Sequence, residues 1–314
     1  IGEFEDMEEL TTKVLQEAKS LLDRVKAYEI RMQAYKAQNQ PQEAVKVGLS
    51  VLKQLGVKFP STPTKFHTAL GLQTTKWVLS KRTIGDLLAL SPMAEPYKLA
   101  AMRIMLSISP AVYAIMPRLL PLIVFKRIKL SIQYGNAYES APAYASYGYT
   151  LCAIEGNIET GYQFGQLALQ LLEKNQNKEL KARIFQIVHG VITHYKEHVQ
   201  STLTPLQEAY HSGLETGNFE YATLSATTYA MHAYLVGKDL TTLEREIAVY
   251  TESFRQLKQE ASLHLNHIYW QAILNLRGYT ENGHRLLGDA YNEEVMLPIH
   301  QKARARGIIF QVYI

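Results

Sequence analysis

The stretch YGNAYESAPAYASYGYTLCAIEGN, Tyr134 to Asn157, sets five tyrosines among Ala, Ser and Gly. Such a composition fits a disordered aromatic tract, a base-stacking surface or packed helices, and the spacing separates the three. Tyr144, Tyr147, Gly148 and Leu151 fall at i, i+3, i+4 and i+7, one face of a helix. Beyond Gly156-Asn157 the small residues Gly161, Gly165 and Ala168 recur at i, i+4 and i+7. Large rings facing Gly and Ala describe two helices that cross closely, the rings as knobs and the small residues as holes. Ser140 is the expected N-cap, with Pro142 in the first turn. A polar low-complexity tract would not hold this spacing. A base-stacking surface needs cations among its rings, and none lies between Lys129 and Lys174.

Outward from this hairpin the pattern repeats. Turn dipeptides stand at Gly156-Asn157, His198-Val199, Gly237-Lys238 and Gly278-Tyr279, at intervals of 42, 39 and 41 residues, and a near-constant period of this size marks stacked units. Leu240, Leu243, Ile247, Tyr250, Phe254 and Leu257 form a helical stripe after the third turn. In the N-terminal part, apolar positions from Val14 to Tyr35 alternate at 4 and 3, and Val45 to Leu55 make a second helix that Gly56 closes. No segment alternates with period two, so no strand is expected. The expected division is an N-terminal hairpin over 1–60, an apolar helical linker packed on the repeats over 61–135, and a repeat stack over 136–314. The first four residues, IGEF, read as a cloning remnant, and the closing RARGIIFQVYI stops within an apolar run, so a fragment of a longer protein is expected.

The chain has 314 residues, 47% of them hydrophobic, and 33 Lys and Arg against 29 Asp and Glu leave a net charge of +4. That is core enough for a folded array and too little charge to expect nucleic acid as a partner. The single cysteine, Cys152, cannot form an internal disulfide, and the opening EFEDMEEL is acidic where a secretion signal would be basic. A reducing, cytoplasmic setting is the expectation. The segment Leu99 to Arg127 is strongly apolar, yet its longest charge-free run, Ile104 to Pro117, has 14 residues, whereas a spanning helix needs roughly 20. Buried core is the expected role, with a docking surface as the alternative and membrane contact not expected.

The large, small, then aromatic pattern across a turn resembles a divergent tetratricopeptide repeat that lacks the Trp-Leu-Gly signature. A closer resemblance is carried by AYEIRMQAYKAQNQPQEAVKVGLSVLKQLGV, SPMAEPYKLAAMRIM, YGNAYESAPAYASYGYTLC, GYQFGQLALQLLE and TLTPLQEAYHSGLETGNFEYA. Together, from about Tyr28 to Glu294, they look like the helical-repeat region of very large bacterial signalling proteins abundant in cyanobacteria. In that family a serine/threonine kinase and an AAA-type signalling ATPase precede the repeats, and GAF and histidine-kinase modules follow. The resemblance implies an all-α, right-handed α-solenoid with a period of about 40 residues. It also implies a regulatory module that senses a protein partner, a neighbouring domain or a small ligand for its ATPase and kinase.

The residues themselves offer little catalytic chemistry. VHGVITHYKEH holds His189, His194 and His198, and His194 and His198 at i, i+4 would share a helix face with metal-ligand spacing. A zinc hydrolase wants Glu after the first His, and Tyr195 stands there. His264 and His267 read the same way. No P-loop, kinase or nucleophile-elbow signature is legible, and Cys152 has no basic neighbour to activate it. No metal or cofactor is expected and the chain is read as non-catalytic, a metalloenzyme built on the histidines being the remote alternative. The basic cluster Lys126, Arg127 and Lys129 after the apolar segment could meet an acidic partner or a lipid head group, a solvated helix end being the alternative. Arg118, Lys126, Arg127, Tyr138, His194 and His198 are the candidate partner contacts. The stripe at Val14 to Tyr35 motivates a second reading, a scaffold or dimerisation segment.

Overall fold

The computed structural model describes residues 4–38, 40–280, 283–302 and 312. It is all-α, as expected: 15 α-helices and no strand among the described residues. The chain forms two compact units, 1–175 and 176–314, a boundary inside the expected 136–314 stack. The closing run 304–314 and the first three residues fall outside the described residues, Val312 excepted.

Local caps decide where the first helices begin. Ser20 Oγ accepts the Asp23 N–H while Asp23 Oδ2 accepts the Ser20 N–H at 3.1 Å, a capping box. It starts α2 (Leu21–Ala37) and separates it from α1 (Phe4–Glu17). The stripe from Val14 to Tyr35 is therefore two helices. Val14 is exposed, whereas Val25 and Met32 of α2 are core residues. Helix α3 (Pro41–Gln54) packs on α2, and α6 (Pro96–Ile115) packs on both. Met102, Ile104, Met105 and Ile108 of α6 are buried against Val25, Met32, Val51 and Leu52.

The apolar segment is thus the centre of the first unit's core. Helix α6 also runs past the expected break. Pro110 lies inside it, and its 20 residues reach the length and hydropathy of a membrane span, with half of that span buried by the rest of the fold. α4 (Lys65–Leu79) starts at the Thr64 cap and packs on α7 (Leu120–Tyr134), and the short α5 (Ile84–Leu88) packs on α9 (Ile158–Asn175).

Helix α8 (Ser140–Glu155) pairs with α9 across the Gly156 turn. Tyr144, Tyr147 and Leu151 are buried, as are Gly148, Gly161, Gly165 and Ala168. A Cβ on Gly161 would lie 2.4 Å from Cys152 Sγ and 2.6 Å from the Gly148 carbonyl oxygen, so at this point the helices touch backbone to backbone. Phe164 fills the adjoining space, its ring 4.9 Å from that of Tyr147 and 6.0 Å from that of Tyr144. Ser140 departs from expectation. Glu139 holds the cap position, and the buried Ser140 Oγ accepts the Ala137 N–H at 2.9 Å beside Ser131 Oγ at 2.7 Å.

In the second unit, α10 (Lys178–Val191) is followed by two 3-10 turns, Thr193–Tyr195 and Val199–Thr202. Then come α11 (Leu203–Glu215), α12 (Phe219–Leu235), α13 (Leu240–Gln256), α14 (Glu260–Leu276) and α15 (Glu293–Lys302). Successive helices from α10 to α14 pack on one another, and α12 also packs on α10 and α14, the neighbour-only contacts of a stacked hairpin array. Left-handed residues close the turns at Gly217, Gly237, Lys258 and Gly278. Turns of one sense, 237 and 278 or 217 and 258, lie 41 residues apart. The expected His198-Val199 turn is instead part of the irregular 3-10 segment.

Polar ties fasten the array. Gln186 Nε2 donates to Thr228 Oγ1 at 2.9 Å, Thr223 Oγ1 to Ser262 Oγ at 3.0 Å, and Asn266 Nδ2 to Thr251 Oγ1 at 2.9 Å. Lys238 Nζ bridges the Tyr229 hydroxyl and the Glu246 carboxylate at 2.6 and 2.7 Å.

The α8–α9 crossing yields a graded test. Gly161→Ala is expected to lower the stability of the chain by roughly 1–3 kcal/mol, because the new methyl meets backbone that cannot yield. Gly85→Ala, whose nearest neighbour would lie at an ordinary 3.7 Å, should be neutral or mildly stabilising, by up to about 1 kcal/mol. Thermal melts of the two variants check both.

Candidate functional site

The proposed basic contact surface divides when folded. Arg118 is exposed in the turn between α6 and α7, Lys126 is half-buried on α7, and Tyr138 is exposed before α8. Arg127 leaves the surface entirely. It is 2% exposed and its guanidinium donates to the Glu139 carbonyl, so it ties α7 to the start of α8 and is no partner contact. The physical reason is helix phase. Arg127 shares a face with the buried Val124, Ile123 and Ser131, and a contiguous run of charges in sequence spreads around a helix. Lys129 also turns inward in part, donating to Thr74 Oγ1 of α4 at 2.7 Å, and burial together with Lys126 pushes its pKa down.

The histidines are rearranged as well. Helix α10 ends at Val191, so His194 and His198 do not share a helix face. His194 sits in the first 3-10 turn, while exposed His198 caps the second, its Nδ1 accepting the Gln200 N–H at 3.1 Å. The neighbour of His194 is His232 of α12, with ring centroids 5.8 Å apart. His232 is buried and its Nδ1 lies 2.7 Å from Thr202 Oγ1, which itself donates to the Val199 carbonyl at 2.7 Å. With the hydroxyl proton committed, the proton of this bond belongs to His232 Nδ1. Burial, reinforced by His194, depresses the His232 pKa to about 4, and burial does the same for His189. These are neutral packing histidines. Among the described residues no three His, Cys, Asp or Glu side chains converge as a metal site. Cys152 is buried, which raises its pKa, and its thiol points to the Ile158 carbonyl at 3.8 Å.

A concave site lies elsewhere, within the first unit. A cleft of about 420 Å³ opens between the α4–α5 turn and the α8–α9 hairpin. Leu79, Leu87, Leu151 and Phe164 supply an apolar floor, and Arg82, Thr83, Asn157 and Thr160 supply a polar rim. Lys76 Nζ holds the Glu155 carboxylate at 2.6 Å, linking α4 to the end of α8. Tyr147 reaches the cleft from α8, and its ring packs at right angles to those of Phe125 and Phe164, at 6.2 and 4.9 Å. Reading along the chain missed this site, since its residues come from two segments about 70 positions apart. Of its lining, Tyr147 and Leu151 stood out in the sequence as packing and Asn157 as part of a turn.

Two measurements follow from these placements. Arg127→Glu should lose the fold or about 3–5 kcal/mol of stability, through a buried unpaired charge, whereas Arg118→Glu should leave the melting temperature unchanged within about 1 °C. Acid should destabilise the second unit. A buried neutral histidine with a lowered pKa binds its proton more readily when unfolded, so its contribution is complete above the ordinary value of 6.5 and is lost as pH falls towards about 4. Melts from pH 7 to 4 should show that loss, and His232→Gln should remove on the order of 2 kcal/mol of it.

No protein-family model matches the chain, and no solved structure matches it. The chain is similar to the hybrid signal transduction histidine kinase G of Dictyostelium discoideum, at 21% identity over 280 residues, which covers 81% of this chain. The chain spans 8% of the length of that kinase.

Proposed function

We propose that the chain is a non-catalytic regulatory module of a larger signal-transduction kinase, in which it binds a partner or ligand and passes that occupancy to the catalytic domains. The observation that carries this reading is the likeness to a hybrid histidine kinase across most of this chain and a small part of the kinase. The kinase and ATPase domains named by the sequence resemblance would flank the module. Stacked hairpins suit the task, because each contacts only its neighbours and can shift against them without loss of fold.

The mechanism is a difference in binding between two states. A module that holds the inactive state contributes free energy to it alone, and a ligand that favours the other state releases the hold. Coupling of this kind amounts to about 1–3 kcal/mol, a change of roughly 5- to 150-fold in the active population. In the parent protein, deletion of 176–314, one whole compact unit, is expected to raise basal autophosphorylation by at least ~5-fold. Unchanged activity in folded protein would leave the scaffold reading in its place.

A further inference from the structure

We propose that the cleft between the α4–α5 turn and the α8–α9 hairpin is a binding site for a small molecule with one anionic group on an aromatic or aliphatic body. Three observations carry it. The first is Tyr147. It is 1% exposed, yet its hydroxyl hydrogen-bonds to no described residue. Unlike the Tyr291 hydroxyl, that of Tyr147 is not sealed from solvent, so it keeps a donor that a ligand in the cleft can take up, while Phe125 and Phe164 pack against the ring at right angles. Burial and the nearby Glu155 carboxylate hold the phenol protonated, so it offers a donor.

The second observation is charge. Of the two cations at the cleft, Lys76 is neutralised by Glu155 at 2.6 Å. The Arg82 guanidinium forms no side-chain hydrogen bond or ion pair with any described residue, although it feels the Asp86 charge, which is itself held by Thr83. One uncommitted guanidinium beside a protonated phenol selects one anion, and the planar donor fork suits a carboxylate or a phosphate monoester alike. The third is shape. Leu79, Leu151 and Phe164 form an apolar floor in a volume of about 420 Å³, within the range of small-molecule sites. The unpartnered Thr160 hydroxyl adds a polar group at the rim.

The inference goes beyond the regulatory reading and is tested apart from it, since binding is read on the chain itself and not through kinase output. Phenylacetate, phenyl phosphate and the uncharged benzyl alcohol are titrated into the full chain and followed by calorimetry. One of the two anions is expected to saturate a single site with Kd below about 1 mM, and benzyl alcohol to bind at least ~10-fold more weakly. Whichever anion binds tells a carboxylate ligand from a phosphorylated one. Arg82→Gln should weaken binding by at least ~10-fold. Tyr147→Phe should weaken it by ~3- to 10-fold while the melting temperature of the free chain stays level, a combination that a purely structural tyrosine would not produce. Failure of both anions to saturate at about 10 mM, or full binding in both variants, would overturn the proposal.

Discussion

The close approach of α8 and α9 at Gly161 is the constraint on which the first unit turns. A hydrogen in place of a side chain lets the Gly148 carbonyl and the Cys152 thiol come within a distance that no Cβ could share. Once the backbones touch there, the neighbouring large residues have one arrangement open to them. Phe164 must lie against Tyr144 and Tyr147, and Phe125 of α7 packs against Tyr147 as well. Two of the rings that fill the crossing, Tyr147 and Phe164, also line the cleft, so packing and the candidate site share one cause.

The second unit is held by a different balance. Its helices meet through small residues and buried hydroxyls and amides as well as through apolar rings. Gly213 lies against Ala222, while Gln186, Thr223 and Asn266 each bond across to a neighbouring helix. Such ties cost desolvation and return it only in one register, which makes neighbouring hairpins specific to one another. The buried His232 and the half-buried His194 beside it belong to the same class of contact. Their aromatic bulk and one committed proton serve the packing, and the low dielectric around them is what keeps the rings uncharged.

Much of this was legible in the chain itself. The all-α class, the close hairpin at Tyr144 to Ala168 and the glycine turns at Gly156, Gly237 and Gly278 follow from helical spacing and from residues that tolerate a left-handed backbone, both of which are local physics. Gly217 and Lys258 passed unread, since a Thr-Gly-Asn turn and a lysine in the left-handed region stand out less than a glycine that breaks an apolar run.

What the sequence determined, then, was the all-α class and the identity of the knobs and holes at the α8–α9 crossing, because those depend on neighbours within one or two helical turns. Tertiary structure alone decided the rest. It sent Arg127 inward while Arg118 stayed out, and separated His194 from His198 and set it against His232. It also brought Arg82 to the same cleft as Tyr147. These outcomes depend on helix phase and on contacts between segments far apart in the chain, and spacing along one segment carries no information about which distant surface will cover it.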